Sequence, residues 1–173
     1  MGRWYEQARD KDFLFERGTC SFAEYAHLDN GHVSVANSEK RSGKFTVANA
    51  DAVFHDDSGQ AYLDVSFSMF FPSFLYQVLD TDYETYSIIY GCSGLNSLYS
   101  EENVWIMTRE QVASDDLLAT LKGKVTEILP QYDQDEFLSM TPQGGDCSYP
   151  NNVKSKSLNR SRPIIDLLDE FLQ

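Results

Sequence analysis

The most reactive side chains in this sequence belong to its three cysteines, Cys20, Cys92 and Cys147. Their spacing contains no C-x-x-C pair of the kind that holds zinc, so they can form one disulfide and leave one free thiol. The segment Gly91-Cys92-Ser93-Gly94 resembles part of a G-x-S-x-G nucleophile elbow. Leu95 occupies the place of the last glycine, and the flanking sequence lacks the α/β pattern that this motif requires. We therefore expect no catalytic residue here.

The three histidines, His27, His32 and His55, all stand at or beside predicted turns. They show neither an H-E-x-x-H motif nor any other close ligand spacing. Because loops lie on the surface, solvated histidines are the expected outcome, and we predict no metal site.

Length and charge narrow the class of protein. The chain has 173 residues, which suits one domain, and a formal net charge of -13, which repels nucleic acid and anionic lipid surfaces. We expect no membrane insertion, since the longest apolar runs are too short to cross a bilayer. No signal peptide is visible, and Met1 stands three residues before Trp4, so we expect a processed chain.

Short β-prone runs separated by turn residues predict an antiparallel meander. Asn30-Gly31 predicts a type I′ hairpin, and Ser42-Gly43 repeats the turn signal about a dozen residues later. Because an open sheet of this length would expose its edges, we expect it to close into a barrel. The predicted strands cover residues 3–8, 18–28, 32–40, 44–54, 60–70, 75–81, 85–92 and 103–110.

One helix and a tail follow the strands. Ser114-Asp115-Asp116 predicts a helix start, and apolar residues at helical spacing continue to Pro130, so we expect this helix to cover one flank of the barrel. We assign residues 1–149 to the barrel with its helix, and residues 150–173 to a polar linker and a short C-terminal helix. That terminal helix could pack on its own barrel or dock in a partner.

Three segments together resemble the motifs of the lipocalin family: Gly2-Arg3-Trp4-Tyr5, Thr81-Asp82-Tyr83 and Arg109. Their order and their spacing on the predicted strands make the combination specific. Within the family, residues 2–148 are similar to the apolipoprotein D and bacterial outer-membrane groups. The resemblance implies an all-β fold, an eight-stranded up-and-down antiparallel barrel with one flanking α-helix.

The resemblance also implies structural roles. Trp4 is expected to close one end of the barrel, with the Arg109 guanidinium stacked on its indole. Cys20 and Cys147 match a family disulfide, whereas the family partner of Cys92 lies upstream of Trp4, so we expect Cys92 to be unpaired.

Strand alternation, anchored on this resemblance, predicts a ligand cup inside the barrel. Its aromatic walls suit a long or planar apolar molecule, and Asn37, Glu39 and Gln77 could fix a polar end. Alternatively, the rings merely fill the barrel, and Glu39 could sit at the rim in water. The predicted inward residues are Ala23, Tyr25, Val35, Asn37, Glu39, Val65, Phe67, Gln77, Trp105 and Met107.

We therefore expect a non-enzymatic carrier of a fatty acid, sterol, retinoid, carotenoid or bilin. It requires no cofactor, although it could hold an apolar chromophore or lipid. Two alternatives stay open: an interaction module that acts through its loops or tail, as a homo-oligomer or with a partner at the C-terminal helix, and a lipocalin-fold isomerase or carotenoid-acting enzyme with a cavity thiol. The expected disulfide and the sequon at Asn159 favour secretion.

Overall fold

The computed structural model describes residues 1–13, 16–56, 58–67, 73–96, 99–151 and 153, and only the backbone of residues 93–96 and 99–101. The predicted C-terminal helix and Asn159 lie outside this range. The elements are β1 (Gly2–Asp10), β2 (Thr19–His27), β3 (Val33–Arg41), β4 (Lys44–Phe54), β5 (Tyr62–Ser66), β6 (Phe74–Thr81), β7 (Tyr86–Asn96), β8 (Tyr99–Thr108), α1 (Asp115–Ile128), α2 (Gln134–Phe137) and β9 (Leu138–Met140).

The predicted barrel is confirmed. Strands β2 to β8 pair with their neighbours in chain order, all antiparallel, and β1 pairs with both β8 and β2. In the β1–β2 pairing, Trp4 lies opposite Ala23 and Tyr5 opposite Phe22. This pairing closes eight strands into a barrel, which removes the edges that an open sheet would expose.

The two clearest hairpin turns differ from each other. At Ser42-Gly43 both residues have positive φ, 47° and 82°, which is the type I′ geometry. At Asn30-Gly31 the prediction of a type I′ turn is wrong, because in this described turn positive φ occurs at Gly31, at 81°, and not at Asn30. There Leu28 N donates to His32 O and Gly31 N to Leu28 O, which makes a longer loop that ends in a left-handed glycine.

The predicted helix is confirmed as α1. The Ser114 side chain accepts a hydrogen bond from Leu117 N, and Asp115 and Asp116 fill the first turn, where negative charge complements the helix dipole. Leu121 and Val125 are fully buried in this helix. They pack on the outer face of the barrel, in a cluster with Ala8, Ile88, Val104 and Ile106.

Some elements differ from the prediction. Strands β7 and β8 extend further toward their connection than expected, because their backbones stay paired from Cys92 opposite Glu102 to Asn96 opposite Tyr99. Long-range pairing thus overrides the turn-like composition of this stretch. The short elements α2 and β9 were not predicted; β9 pairs with the end of β1. Among the described residues, no helix is long and apolar enough to span a membrane.

The segment after β9 bridges the end of β1 and the start of β2. These two strands pair with each other only along Gly2 to Tyr5 of β1. Thr141 N donates to Gln7 O, and Cys20 N donates to Pro142 O. The Gln143 amide bridges the gap, because its Nε2 donates to Glu6 O at 2.6 Å and to Ser21 O at 2.7 Å.

The predicted disulfide fastens this segment to the barrel. Cys20 is bonded to Cys147 across 127 positions, with 5.5 Å between the two Cα atoms, so the prediction is confirmed. Cys92 is the free cysteine.

Candidate ligand-binding cavity

The end of the barrel where β1 begins is closed by Trp4 and Arg109. The Arg109 guanidinium carbon lies 3.6 Å from the centroid of the Trp4 ring. Its Nη1 donates to Arg3 O at 2.7 Å and its Nη2 to Met1 O at 2.8 Å. Gly2 lies beside this guanidinium at φ 84°, a left-handed backbone conformation that favours glycine. The arrangement has the geometry that the sequence motif implies.

Thr81, Asp82 and Tyr83 shape the turn between β6 and β7 at the same end. The Asp82 carboxylate accepts backbone hydrogen bonds from Glu84, Thr85 and Tyr86. Desolvation raises the pKa of Asp82, but the hydrogen bonds from the Thr85 side chain and the backbone outweigh it and hold this pKa well below its usual range. Tyr83 has φ 68° and is exposed, so the motif fixes a turn and does not reach the interior.

The interior near this closed end is filled by side chains. Val35 and Val65 point inward, as predicted, but they belong to a packed cluster with Val33, Ala50, Ala52 and Leu63. Neither valine lines the cavity, because this part of the barrel is occupied by its own apolar residues. Side chains therefore fill this half of the barrel, but they are aliphatic and not the aromatic rings that the alternative invoked.

A cavity occupies the other half, toward the connection between β1 and β2. Seven of the predicted residues line it: Ala23, Tyr25, Asn37, Glu39, Phe67, Trp105 and Met107. Glu39 is buried and not at a wet rim, with 8% of its surface exposed. The lining residues that the prediction missed are Glu6, Phe13, Glu16, Ser21, Phe22, Ser38, Thr46, Ala48, Phe74, Tyr76 and Ile89.

The prediction that Gln77 points inward is wrong. On β6 it is Tyr76 and Val78 that pack toward the interior, beside Trp105, whereas Gln77 pairs with Tyr90, which packs on the outer cluster under α1. The register between β6 and β7 shifts between Val78 and Asp80. This β-bulge shifts the inward–outward alternation of the side chains by one residue. Counting by two along the strand from Thr81 therefore assigns Gln77 to the wrong face.

Aromatic rings form the walls of the cavity. Phe67 and Phe74 stack with 5.8 Å between their centroids, and Phe13 meets Trp105 edge to face at 5.1 Å. The indole of Trp105 fits against the barrel wall only because residue 91 is glycine. A Cβ on Gly91 would come within 2.7 Å of Trp105 Cζ3.

Two tyrosine hydroxyls meet across the cavity. Tyr25 Oη and Tyr76 Oη are 3.0 Å apart and share a hydrogen bond. Burial raises the pKa of Tyr25 to about 12 and raises that of Tyr76 well above its usual value. Both hydroxyls are therefore neutral and partnered, which makes this wall only weakly polar.

Glu16 is the main residue that sequence reasoning missed. Its Oε2 accepts a hydrogen bond from Trp105 Nε1 at 2.9 Å, and its Oε1 accepts one from Asn37 Nδ2 at 3.0 Å. Desolvation, followed by the nearby Glu6 carboxylate, raises the pKa of Glu16 to about 8, against the opposing effect of the Trp105 hydrogen bond and Arg9. The carboxyl is thus mostly protonated at neutral pH.

Arg9 and Glu39 hold the residues that follow Glu16. Arg9 Nη2 donates to Gly18 O at 3.0 Å, and Gly18 N donates to Glu39 Oε2 at 2.5 Å. Arg9 also pairs with Glu6, and Arg41 pairs with Glu39. A Cβ at Gly18 would lie 2.7 Å from Glu39 Oε2, so glycine at this position leaves room for the hydrogen bond to Glu39.

The room left in the cavity is about 80 Å³. Sites for drug-sized ligands span roughly 300–1,000 Å³, so this volume is too small for one. Phe13 and Glu16 reach into the barrel from the β1–β2 connection and line this space.

The free thiol does not line this cavity. Gly91 faces Trp105, so the next residue of β7, Cys92, has its side chain on the outer face, beside Tyr90. Cys92 therefore cannot act as a nucleophile within the cavity, as the enzyme alternative requires. His32 and His55 bind Asp51 and Asp64 through Nδ1, each at 2.8 Å, and no metal-binding cluster occurs among the described residues.

A closed eight-stranded antiparallel barrel with a tryptophan and an arginine stacked at one end is typical of the lipocalin class. The family model described as "Lipocalin-like domain" matches residues 1–142, and the chain belongs to this family.

Two relatives and one solved structure illustrate what the chain is similar to. The chain is 35% identical to apolipoprotein D of Bos taurus over 127 residues, which are 73% of this chain and 67% of that protein. It is 37% identical to the outer membrane lipoprotein Blc of Vibrio cholerae over 113 residues, 63% of this chain and 61% of that protein. The structure of lobster apocrustacyanin A1 is similar with a TM-score of 0.69 at 21% identity, over 86% of this chain and 79% of that chain, which shows the shared fold.

Proposed function

We propose that this protein carries a small apolar ligand in the half of the barrel that contains Tyr25, Phe67 and Trp105, and that it does so without catalysis. The observation that supports this most is the division of the interior. One half is packed by aliphatic side chains, whereas the other is lined by aromatic rings, with Phe13 and Glu16 of the β1–β2 connection among its described lining residues. Lipocalins are a family of barrels that bind small hydrophobic ligands.

The side chains that line the cavity restrict the chemical class of the ligand. Rings from β2, β6 and β8, together with Phe67 just after β5, supply contact area for a long or planar molecule, such as a fatty acid, sterol, retinoid, carotenoid or bilin. No charged side chain in the cavity is unpaired among those described, apart from the Glu16 carboxyl, so the ligand needs no strong charge to balance. A lipid or an apolar chromophore fits these walls.

The test uses the two tryptophans as mutual controls. Purified protein is examined by native mass spectrometry and absorption for a retained ligand, and its indole fluorescence is then titrated with one member of each ligand class. Trp4 is sealed below the cavity, so quenching should persist in Trp4→Phe and disappear in Trp105→Phe. Binding of no compound by any of these folded proteins would contradict the carrier function.

The disulfide supports a secreted protein or another oxidising compartment. Counting thiols by alkylation and mass spectrometry, on protein from its natural source, should find one free thiol, at Cys92. Three free thiols would contradict this location. A homo-oligomer, or a partner at residues 163–173, remains a prediction, because that segment lies outside the described residues.

A further inference from the structure

Glu16 lines the cavity inside the barrel, although it does not belong to any strand of the barrel wall. It comes from the connection between β1 and β2, yet its two oxygens reach Trp105 Nε1 on β8 and Asn37 Nδ2 on β3. Trp105 and Asn37 lie on rigid strands and present their N–H groups into the cavity. They therefore form a two-donor site for a polar head group, and in this structure Trp105 binds one oxygen of Glu16 and Asn37 binds the other.

Asn37 carries a second, unused group at the same place. Its Oδ1 is buried and has no hydrogen-bond partner in the described part of the chain. A buried acceptor without a partner costs free energy, which a ligand with an O–H donor would recover. An alcohol or a protonated carboxylic acid can accept from Trp105 and donate to Asn37 Oδ1, whereas a carboxylate anion cannot donate.

The charges around this site disfavour an anion. The two carboxylates nearest to Glu16, Glu6 and Glu39, are already paired with Arg9 and Arg41, so a further negative charge would be buried without a partner. The protonation of Glu16 near neutral pH reflects the same environment. The titratable groups that face Glu16 are Glu6 and Arg9 on β1, Tyr25 on β2, Glu39 on β3 and Tyr76 on β6.

We propose that Trp105 and Asn37 form the head-group site of the barrel, that Glu16 occupies it in the absence of ligand, and that the ligand displaces Glu16 with an uncharged hydroxyl-bearing head group. This inference rests on the carrier function proposed above and specifies its ligand as an apolar body with an alcohol or protonated acid at one end. Glu16 is then an internal competitor that lowers affinity.

The test compares tetradecan-1-ol with tetradecanoic acid, two probes with equal chains and different head groups. Wild-type protein should bind the alcohol at least roughly a hundredfold more tightly than the acid near pH 7.5, because an acid with an ordinary carboxyl pKa of about 4.3 must take up a proton to bind. The difference should shrink near pH 5.5. Equal binding of both probes at both pH values would overturn the inference.

Variants identify the site. Glu16→Ala should bind the alcohol about tenfold more tightly, since two competing hydrogen bonds are lost. Glu16→Gln keeps an acceptor oxygen, so it should gain less affinity than Glu16→Ala. The control Glu127→Ala, which removes an exposed carboxylate on α1, should bind the alcohol like wild type. In the Glu16→Ala protein, adding Asn37→Ala should weaken alcohol binding about tenfold.

The outcomes separate the two proposals. If the alcohol binds, but neither Glu16→Ala nor the added Asn37→Ala changes its affinity, the head-group site is wrong and the carrier function stands. If neither wild-type protein nor the folded Glu16→Ala variant binds any apolar compound, the carrier function itself is wrong.

Discussion

The Arg109 guanidinium stacks on the Trp4 indole at 3.6 Å and at the same time donates to the carbonyls of Arg3 and Met1. One side chain therefore joins the end of β8 to the start of β1, where the barrel closes. Trp4 is buried beneath it. The pair lies outside the set of residues that line the cavity, so it contributes to stability and not to ligand contact.

Arg109→Ala should lower the free energy of unfolding by about 2 kcal/mol, because it removes a cation–π contact and two charge-assisted hydrogen bonds. Urea denaturation measures the change. Arg109→Lys keeps the charge but cannot reach both carbonyls with a planar guanidinium. Its free energy of unfolding should therefore lie between those of wild type and Arg109→Ala. A variant that unfolds at the wild-type urea concentration would contradict this role.

Much of the cavity could be predicted because strands β2 and β3 alternate regularly. Counting by two from Ala23 to Tyr25, and from Val35 to Glu39, gives the correct face throughout. The same count fails on β6, where the bulge between Val78 and Asp80 changes the parity and exchanges Gln77 for Tyr76. Bulges leave no clear mark in a single sequence, although the alternating Phe74, Tyr76 and Val78 could have indicated the apolar face.

Glu16 could not be predicted, for a different reason. It lies in a connection without periodicity, and a glutamate there is normally assigned to solvent. Its inward position depends on Arg9 of β1 and Glu39 of β3, which hold Gly18 from the two strands on either side of β2. Likewise, the Cys20–Cys147 disulfide followed from the family resemblance alone, since spacing left the pairing of three cysteines open.

Gly91→Ala tests the fit of Trp105 against the wall. The added methyl would overlap the indole, with 2.7 Å to Cζ3, so the ring must shift, and we expect this to weaken its hydrogen bond to Glu16. We expect a loss of about 1–3 kcal/mol in unfolding free energy and a changed Trp105 emission spectrum.

Gly123→Ala is the matched control for this substitution. Gly123 lies in α1 with nothing within 4 Å of its Cβ position, so alanine there should stabilise the protein by about 0.5–1 kcal/mol. If both substitutions had the same effect on stability, close packing at Gly91 would not be the cause.

Removing the disulfide should be the most destabilising of these changes. Cys20 and Cys147 close a loop across 127 positions, for which the chain-entropy relation gives about 4 to 5 kcal/mol. The double variant Cys20→Ser, Cys147→Ser should therefore unfold at much lower urea concentration. Cys92→Ser, which removes the free thiol, should unfold like wild type; a similar loss in both proteins would argue against a specific role for the bridge.

The pH dependence of stability should show the burial of Glu16. Its pKa in the folded protein, about 8, is above the ordinary value of 4.5, so the folded state binds the proton more tightly than the unfolded chain does. The contribution of Glu16 is therefore fully favourable below about pH 4.5 and is lost as the pH rises through 8. Glu16→Gln cannot ionise, so the difference in unfolding free energy between this variant and wild type should shift in favour of the variant across that range. Urea denaturation at intervals of pH measures the difference, and a constant value across the range would show that Glu16 is solvated and does not lie within the barrel.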